Sequence, residues 1–305
     1  MGSGNWTSSA FTNKIHTMGF TSSADLGASR VQEVYRARMM DDMLNPYGVM
    51  RECRDSEEHP ATLPIILALD VTGSMGRAAT MCASKLDEIM TELYGKVKDV
   101  EFMMMAIGDL AYDDAPIQAS QFESDIRIMD QTEKIYFEGH GGANNFESYT
   151  AAWYFGLNNC DLDCWKRGKK GVIITMGDEP MNPYLPQSQL NFALGSHEQD
   201  DVDTEALYRE ALAKYDIYHI AITDRESCYN RYAGKIKDTW GKLLGQNLLH
   251  GKSDDLPKLI GQIVDDHVDK SFGSAPATRI SRRAASSGVV DEMLSDAATP
   301  DGIRW

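Results

Sequence analysis

Apolar residues recur along this chain in two periods. A continuous run at Ile65–Leu69 and mostly apolar runs at Val100–Ile107, Gly171–Met176 and Ile217–Thr223 are short and rich in Ile, Val and Met, which predicts buried strands of a parallel sheet. A shorter run at Asn247–His250 predicts a last strand, and stretches near Ile126–Met129 and at Lys134–Phe137 predict edge strands. Between these runs the period lengthens. Met81, Leu86, Ile89, Met90, Leu93 and Tyr94 fall at helical spacing over Arg77–Gly95. Further helices are predicted through Leu157, over Thr204–Lys214, over Tyr229–Leu244, and after a Ser253 cap with Leu256, Leu259, Ile260, Ile263, Val264 and Val268 on one side.

Strands alternating with helices predict an α/β fold: a doubly wound, mostly parallel sheet flanked by helices over residues 60–272. Before it, residues 1–59 read as an arm. Met1–Leu26 is polar with single aromatics at Trp6, Phe11 and Phe20, and is either flexible or docked elsewhere. Ser29–Leu44 carries Val31, Val34, Tyr35, Met39 and Met43 near a helical period and ends at Asn45-Pro46, so a helix over 29–44 is expected. Residues 273–305 are rich in Ser, Ala and Gly and predict a loose tail, in which Val289–Leu294 and Trp305 are the groups able to dock.

Composition narrows the function. With 305 residues, 42% hydrophobic and 25% charged, the chain fits a soluble globular protein. A net charge of -16 argues against a nucleic-acid partner and favours a divalent cation or a basic one. Apolar runs are too short to span a bilayer, and Met1–Phe20 lacks a basic start followed by an apolar core. A cytoplasmic protein without membrane attachment is expected. Five cysteines at no regular spacing do not resemble a disulfide framework, so reduced thiols are expected.

The chemistry gathers at strand ends. The run Ile65–Leu69 stops at Asp70, and Thr72 and Ser74 follow at alternate positions, so one carboxylate and two hydroxyls can converge. Three hard oxygens suit Mg²⁺ or a similar cation, although Thr72-Gly73-Ser74 also serves as a turn and helix cap. A second apolar run ends in Asp178, bringing another carboxylate to the same sheet edge, where open α/β sheets bind ligands. The glycine-rich stretch 139–148 lets one loop approach another closely, but lacks the Lys and Ser/Thr of a phosphate-binding loop.

Asp70-x-Thr72-x-Ser74 followed by Met75-Gly76 resembles the metal-ion-dependent adhesion site of von Willebrand factor A domains, whose pattern is Asp-x-Ser-x-Ser. The resemblance spans residues 60–272 and is closest to the branch with Asp-x-Thr-Gly-Ser-Met, found in hemicentins and in proteins related to α-kinases. It implies a Rossmann-like von Willebrand A fold and a cation (Mg²⁺, or Mn²⁺ or Ca²⁺) held by Asp70, Thr72, Ser74, Asn144 and Asp178. Asn144 keeps an oxygen where the closer branch has Asp, and Met176-Gly177 offsets Asp178 from the usual place directly after Thr. Glu147 is either a water-mediated ligand or a helix-start acid.

Such a site leaves a coordination position to an acid of a partner, so the expected function is cation-dependent protein binding, not catalysis. The resemblance places intracellular relatives beside AAA ATPases or in multi-protein complexes. A structural subunit with a vestigial site is the alternative. A metal-dependent hydrolase is disfavoured, because His140 alone falls in the three ligand loops and no nucleophile and base pair is evident.

Overall fold

The computed structural model describes residues 4–139 and 146–272. Its central sheet has six strands: β1 (Leu63–Asp70), β2 (Val100–Ile107), β3 (Ile117–Ala119), β4 (Gly171–Gly177), β5 (Tyr215–Ile222) and β6 (Leu248–Gly251). They lie in the order β6-β5-β4-β1-β2-β3. All neighbours run parallel except β3, which pairs antiparallel with β2 through Met105↔Ala119 and Ile107↔Ile117. The strand β1 pairs on one side with β2 and on the other with β4, setting Ile65 between Phe102 and Val172. The chain is therefore doubly wound, and the point where strand order reverses lies between β1 and β4.

The central strands β1, β2, β4 and β5 are apolar at most consecutive positions because they feed two cores. Ile65, Leu67 and Leu69 of β1 join Val172, Ile174 and Met176 of β4 on one face, under the helices Gly76–Ser84, Leu86–Lys96 and Leu256–Phe272. Ile66 and Ala68 join Met103, Met105, Ile173 and Ile217 on the other, against Tyr149, Trp153 and Trp240. The methionines of β2 serve as filler on both faces, as their flexible side chains allow.

The amino-terminal residues belong to the first core. A helix over Ser8–Met18, capped by Thr7 and closed by Gly19 in the left-handed region, buries Phe11, Ile15 and Met18. Trp6 lies tilted against Phe11 and donates its indole N–H to Asp87 Oδ1 at 2.8 Å. A second helix, Ser23–Ala28, buries Leu26.

Four expected elements differ. The helix expected over 29–44 shrinks to Val31–Val34. Tyr35 turns inward and donates to the Ala79 carbonyl, while Asp41 Oδ1 accepts from the Met43 amide in a local turn that competes with helical bonding. Ile126–Met129 is not an edge strand: Asp125 Oδ1 accepts from the Arg127 amide and starts a helix over Arg127–Thr132. Lys134–Phe137 is also no strand. Its Tyr136 amide and carbonyl pair instead with the side-chain amide of Gln118, each at 2.8 Å. The helix expected over 77–95 breaks at Lys85 into two. Arg51–Cys53 also forms a short strand, which pairs in parallel with Cys160–Leu162. All five cysteines are free.

Candidate metal site at the β1–β4 edge

Acids cap four of the parallel strands. Asp70 ends β1, Asp109 follows β2 by one residue, Asp178 follows β4 directly and Asp224 follows β5 by one residue. All four are buried. The apolar runs thus deliver carboxylates to one rim, and the pair beside the reversal point, Asp70 and Asp178, is the closest to a ligand site of this fold class.

Asp70 is fully buried and held by three donors. Its Oδ1 accepts from the Thr72 amide at 2.8 Å and the Thr72 hydroxyl at 2.5 Å, and its Oδ2 accepts from the Tyr149 phenol at 2.6 Å. A hydroxyl that donates to a carboxylate turns its lone pairs away from it, so Thr72 Oγ1 is set to act as a neutral ligand. Burial, with Asp178 nearby, pushes the Asp70 carboxyl above its ordinary range against the downward pull of Thr72 and Tyr149.

Asp178 is equally buried. Its Oδ2 accepts from the Cys228 amide at 2.5 Å, its carboxylate faces the Ser74 hydroxyl, and burial raises its pKa. Its Oδ1 finds no hydrogen-bond partner. Glu147, 2% exposed, bridges to the Met181 backbone, and its Oε2 is likewise without a partner. Burial, then the charges of Asp70, Glu179 and Asp109, drive its carboxyl far above the ordinary carboxylate range. Glu179 is pushed up to about 7 by burial and by Asp178. Buried carboxylates of one sign, three of them (Asp178, Glu147 and Glu179) with an oxygen that no donor meets, require either bound protons or a cation.

The structure thus brings Asp70, Thr72, Ser74 and Asp178 together. Asn144 lies outside the described residues, as does His140. Among the described residues no three His, Cys, Asp or Glu side chains converge as metal ligands. A cation here would therefore rest on hydroxyl oxygens as well as carboxylates, which the orphaned Asp178 oxygen and the oriented Thr72 hydroxyl accommodate.

The loop after β1 is closed over by the start of the glycine-rich segment. The Gly139 amide donates to the Val71 carbonyl at 3.2 Å. Two residues escaped sequence reasoning. Tyr149 reaches Asp70 across the sheet edge, and Cys228 supplies a backbone N–H to Asp178. The one available signal was Gly177, the small residue just before Asp178. A Cβ there would overlap the Tyr149 phenol, so the glycine makes room for the tyrosine.

No family model and no curated protein matches the chain. Solved structures similar to it include the pilus adhesin SpaC from Lactobacillus rhamnosus GG in its open conformation. That match has 13% identity and a TM-score of 0.47, and covers 74% of this chain and 31% of that one. Proximal thread matrix protein 1 of the mussel byssus matches at 12% identity and TM-score 0.45, over 68% of this chain and 48% of that one. The vWF domain of the type V pili tip protein Mfa5 from Porphyromonas gingivalis matches at 12% identity and TM-score 0.42, covering 72% and 98%. This chain spans less than half the length of the adhesin and of the thread protein. At these identities and scores the likenesses assign no activity, and the fold rests on the strand order.

Proposed function

We propose that this chain is a von Willebrand A-type docking module. It holds Mg²⁺, or Mn²⁺ or Ca²⁺, on Thr72, Ser74 and Asp178, with Asp70 behind Thr72, and through that cation binds an Asp or Glu of a protein partner. The observation carrying this reading is the Thr72 hydroxyl, whose proton is committed to Asp70 so that its lone pairs face away from it. A cation held mainly by neutral hydroxyls and few carboxylates keeps positive charge, which an incoming carboxylate neutralises. The resemblance of the Asp70–Gly76 motif favours an intracellular assembly, beside an AAA ATPase or another complex subunit, as the setting. Binding is the proposed chemistry, not catalysis: among the described residues the site's loops offer carboxylates and hydroxyls but no imidazole, and His219 lies stacked on Trp240 in the core.

A structural subunit with a vestigial site is the second reading. It is favoured by the internal satisfaction of both Asp70 oxygens. Calorimetry of the full chain with Mg²⁺ separates the two. Saturable binding lost in Asp70→Ala supports docking; absence of heat in the unsubstituted chain supports the vestigial site. Partner capture that is equal with and without chelator sinks cation-dependent docking.

A further inference from the structure

The departure of Gly177 from the pattern expected at the end of β4 has a counterpart across the sheet edge. Tyr149 is fully buried, and its ring lies edge-on to His219 and Trp240, with centroids at 5.4 and 5.6 Å. Those two rings are themselves stacked at 3.9 Å, and Trp240 is anchored by donating its indole N–H to the Glu179 carbonyl. The phenol therefore has one fixed direction, over Gly177, where it donates to Asp70 Oδ2 at 2.6 Å and accepts a longer bond from the Glu179 amide at 3.4 Å.

We infer that Tyr149 is a positioning residue for the cation site, acting through Asp70, and that Gly177 exists to let it through. This rests on the docking reading above. With Oδ2 held by the phenol, Oδ1 is turned to Thr72, and both the amide and the hydroxyl of Thr72 donate to it. The chain of contacts Tyr149, Asp70, Thr72 thus fixes the direction of a ligand lone pair from a side chain that does not itself touch the ion. Partners that orient ligands in this way commonly set metal affinity by an order of magnitude or more.

The test is Mn²⁺ calorimetry on the full chain, with Tyr149→Phe, Asp70→Asn and the double variant. Tyr149→Phe removes only the hydroxyl and keeps the ring in its packing. It is expected to weaken Mn²⁺ binding about tenfold. In the Asp70→Asn background the same change is expected to have no further effect on whatever affinity remains, since Tyr149 acts through that carboxylate. Gly177→Ala, which displaces the phenol, should reproduce the loss. Unchanged affinity in Tyr149→Phe overturns the inference and leaves the docking reading standing, as does a further loss in the Asp70→Asn background. No Mn²⁺ binding by the unsubstituted chain overturns both. Urea unfolding of Tyr149→Phe in chelator, matching that of the unsubstituted chain, shows that the lost affinity is not lost folding.

Discussion

The carbonyl oxygen of Gly139 stands 2.9 Å from where a Cβ on Gly73 would sit, so the loop following β1 and the start of the glycine-rich segment meet backbone to backbone. Neither partner in this contact is a flexible side chain that could swing aside. A methyl group at position 73 must part the two loops. Gly73→Ala is expected to cost about 1–3 kcal/mol by overpacking and to weaken Mg²⁺ binding as Ser74 is carried away from Asp178. Denaturant midpoints with and without Mg²⁺ check this. A variant matching the unsubstituted chain in both would show that the contact positions nothing.

The amino-terminal arm is a load on the same core. Phe11 is 3% exposed and lies 5.7 Å from Trp6, whose indole is tied to Asp87. Phe11→Ala is expected to destabilise the protein by about 3–5 kcal/mol, the usual cost of emptying a buried aromatic site. Trp6→Phe, which keeps most of the ring but removes the bond to Asp87, should cost about 1 kcal/mol. Equilibrium urea unfolding measures both. A Phe11→Ala loss below that of Trp6→Phe would mean that the arm is only loosely applied.

The difference in legibility between strands and arm has a physical cause. A strand of a doubly covered sheet is apolar at most successive positions, so Ile65–Leu69 and, Glu101 apart, Val100–Ile107 declare themselves locally, and the acids that end the runs follow within two residues. The arm buries isolated residues such as Phe11 and Leu26 amid polar ones, which gives a weak pattern. Over 29–44 the spacing was helical, but Asp41 bonding to the Met43 amide and Tyr35 reaching Ala79 won over it. In the site, Asp70, Thr72 and Ser74 were readable because they are neighbours in sequence. Tyr149 was not, since its bond to Asp70 spans 79 residues and depends on the side-chain packing of Trp240 and His219.

Glu101 gives the protein a pH dependence away from the cation site. It occupies the second position of β2, only 2% exposed, and burial pushes its carboxyl up to about 7. Cys53 and His59 pull against that rise and Glu123 adds to it. The folded chain thus keeps a proton that the unfolded chain releases near the ordinary carboxyl pKa. Its contribution favours folding most below the unfolded value, declines as pH rises through about 7, and is level above. Glu101→Gln removes this slope and is expected to gain up to about 2–3 kcal/mol relative to the unsubstituted chain between mildly acidic and mildly alkaline pH. Urea midpoints across that range decide it; parallel profiles for the two proteins would exclude Glu101 as the source.

Thr72 offers the sharpest separation of folding from ligation. The hydrogen bond that its backbone N–H donates to Asp70 Oδ1 survives the side-chain changes below, whereas its hydroxyl both donates to Asp70 and offers the outward lone pairs. Thr72→Val keeps the shape and removes only the oxygen, leaving Asp70 Oδ1 with one donor in place of two. The cost to stability should be about 1 kcal/mol, that of one buried hydrogen bond. Thr72→Ser retains the oxygen and loses a methyl group. If the hydroxyl is a ligand, Mg²⁺ calorimetry will show binding lost in the Val variant and kept within a few-fold in the Ser variant, although both unfold near the same urea concentration. Equal binding by the two would remove Thr72 from the ligand set and leave the hydroxyl as a brace for Asp70.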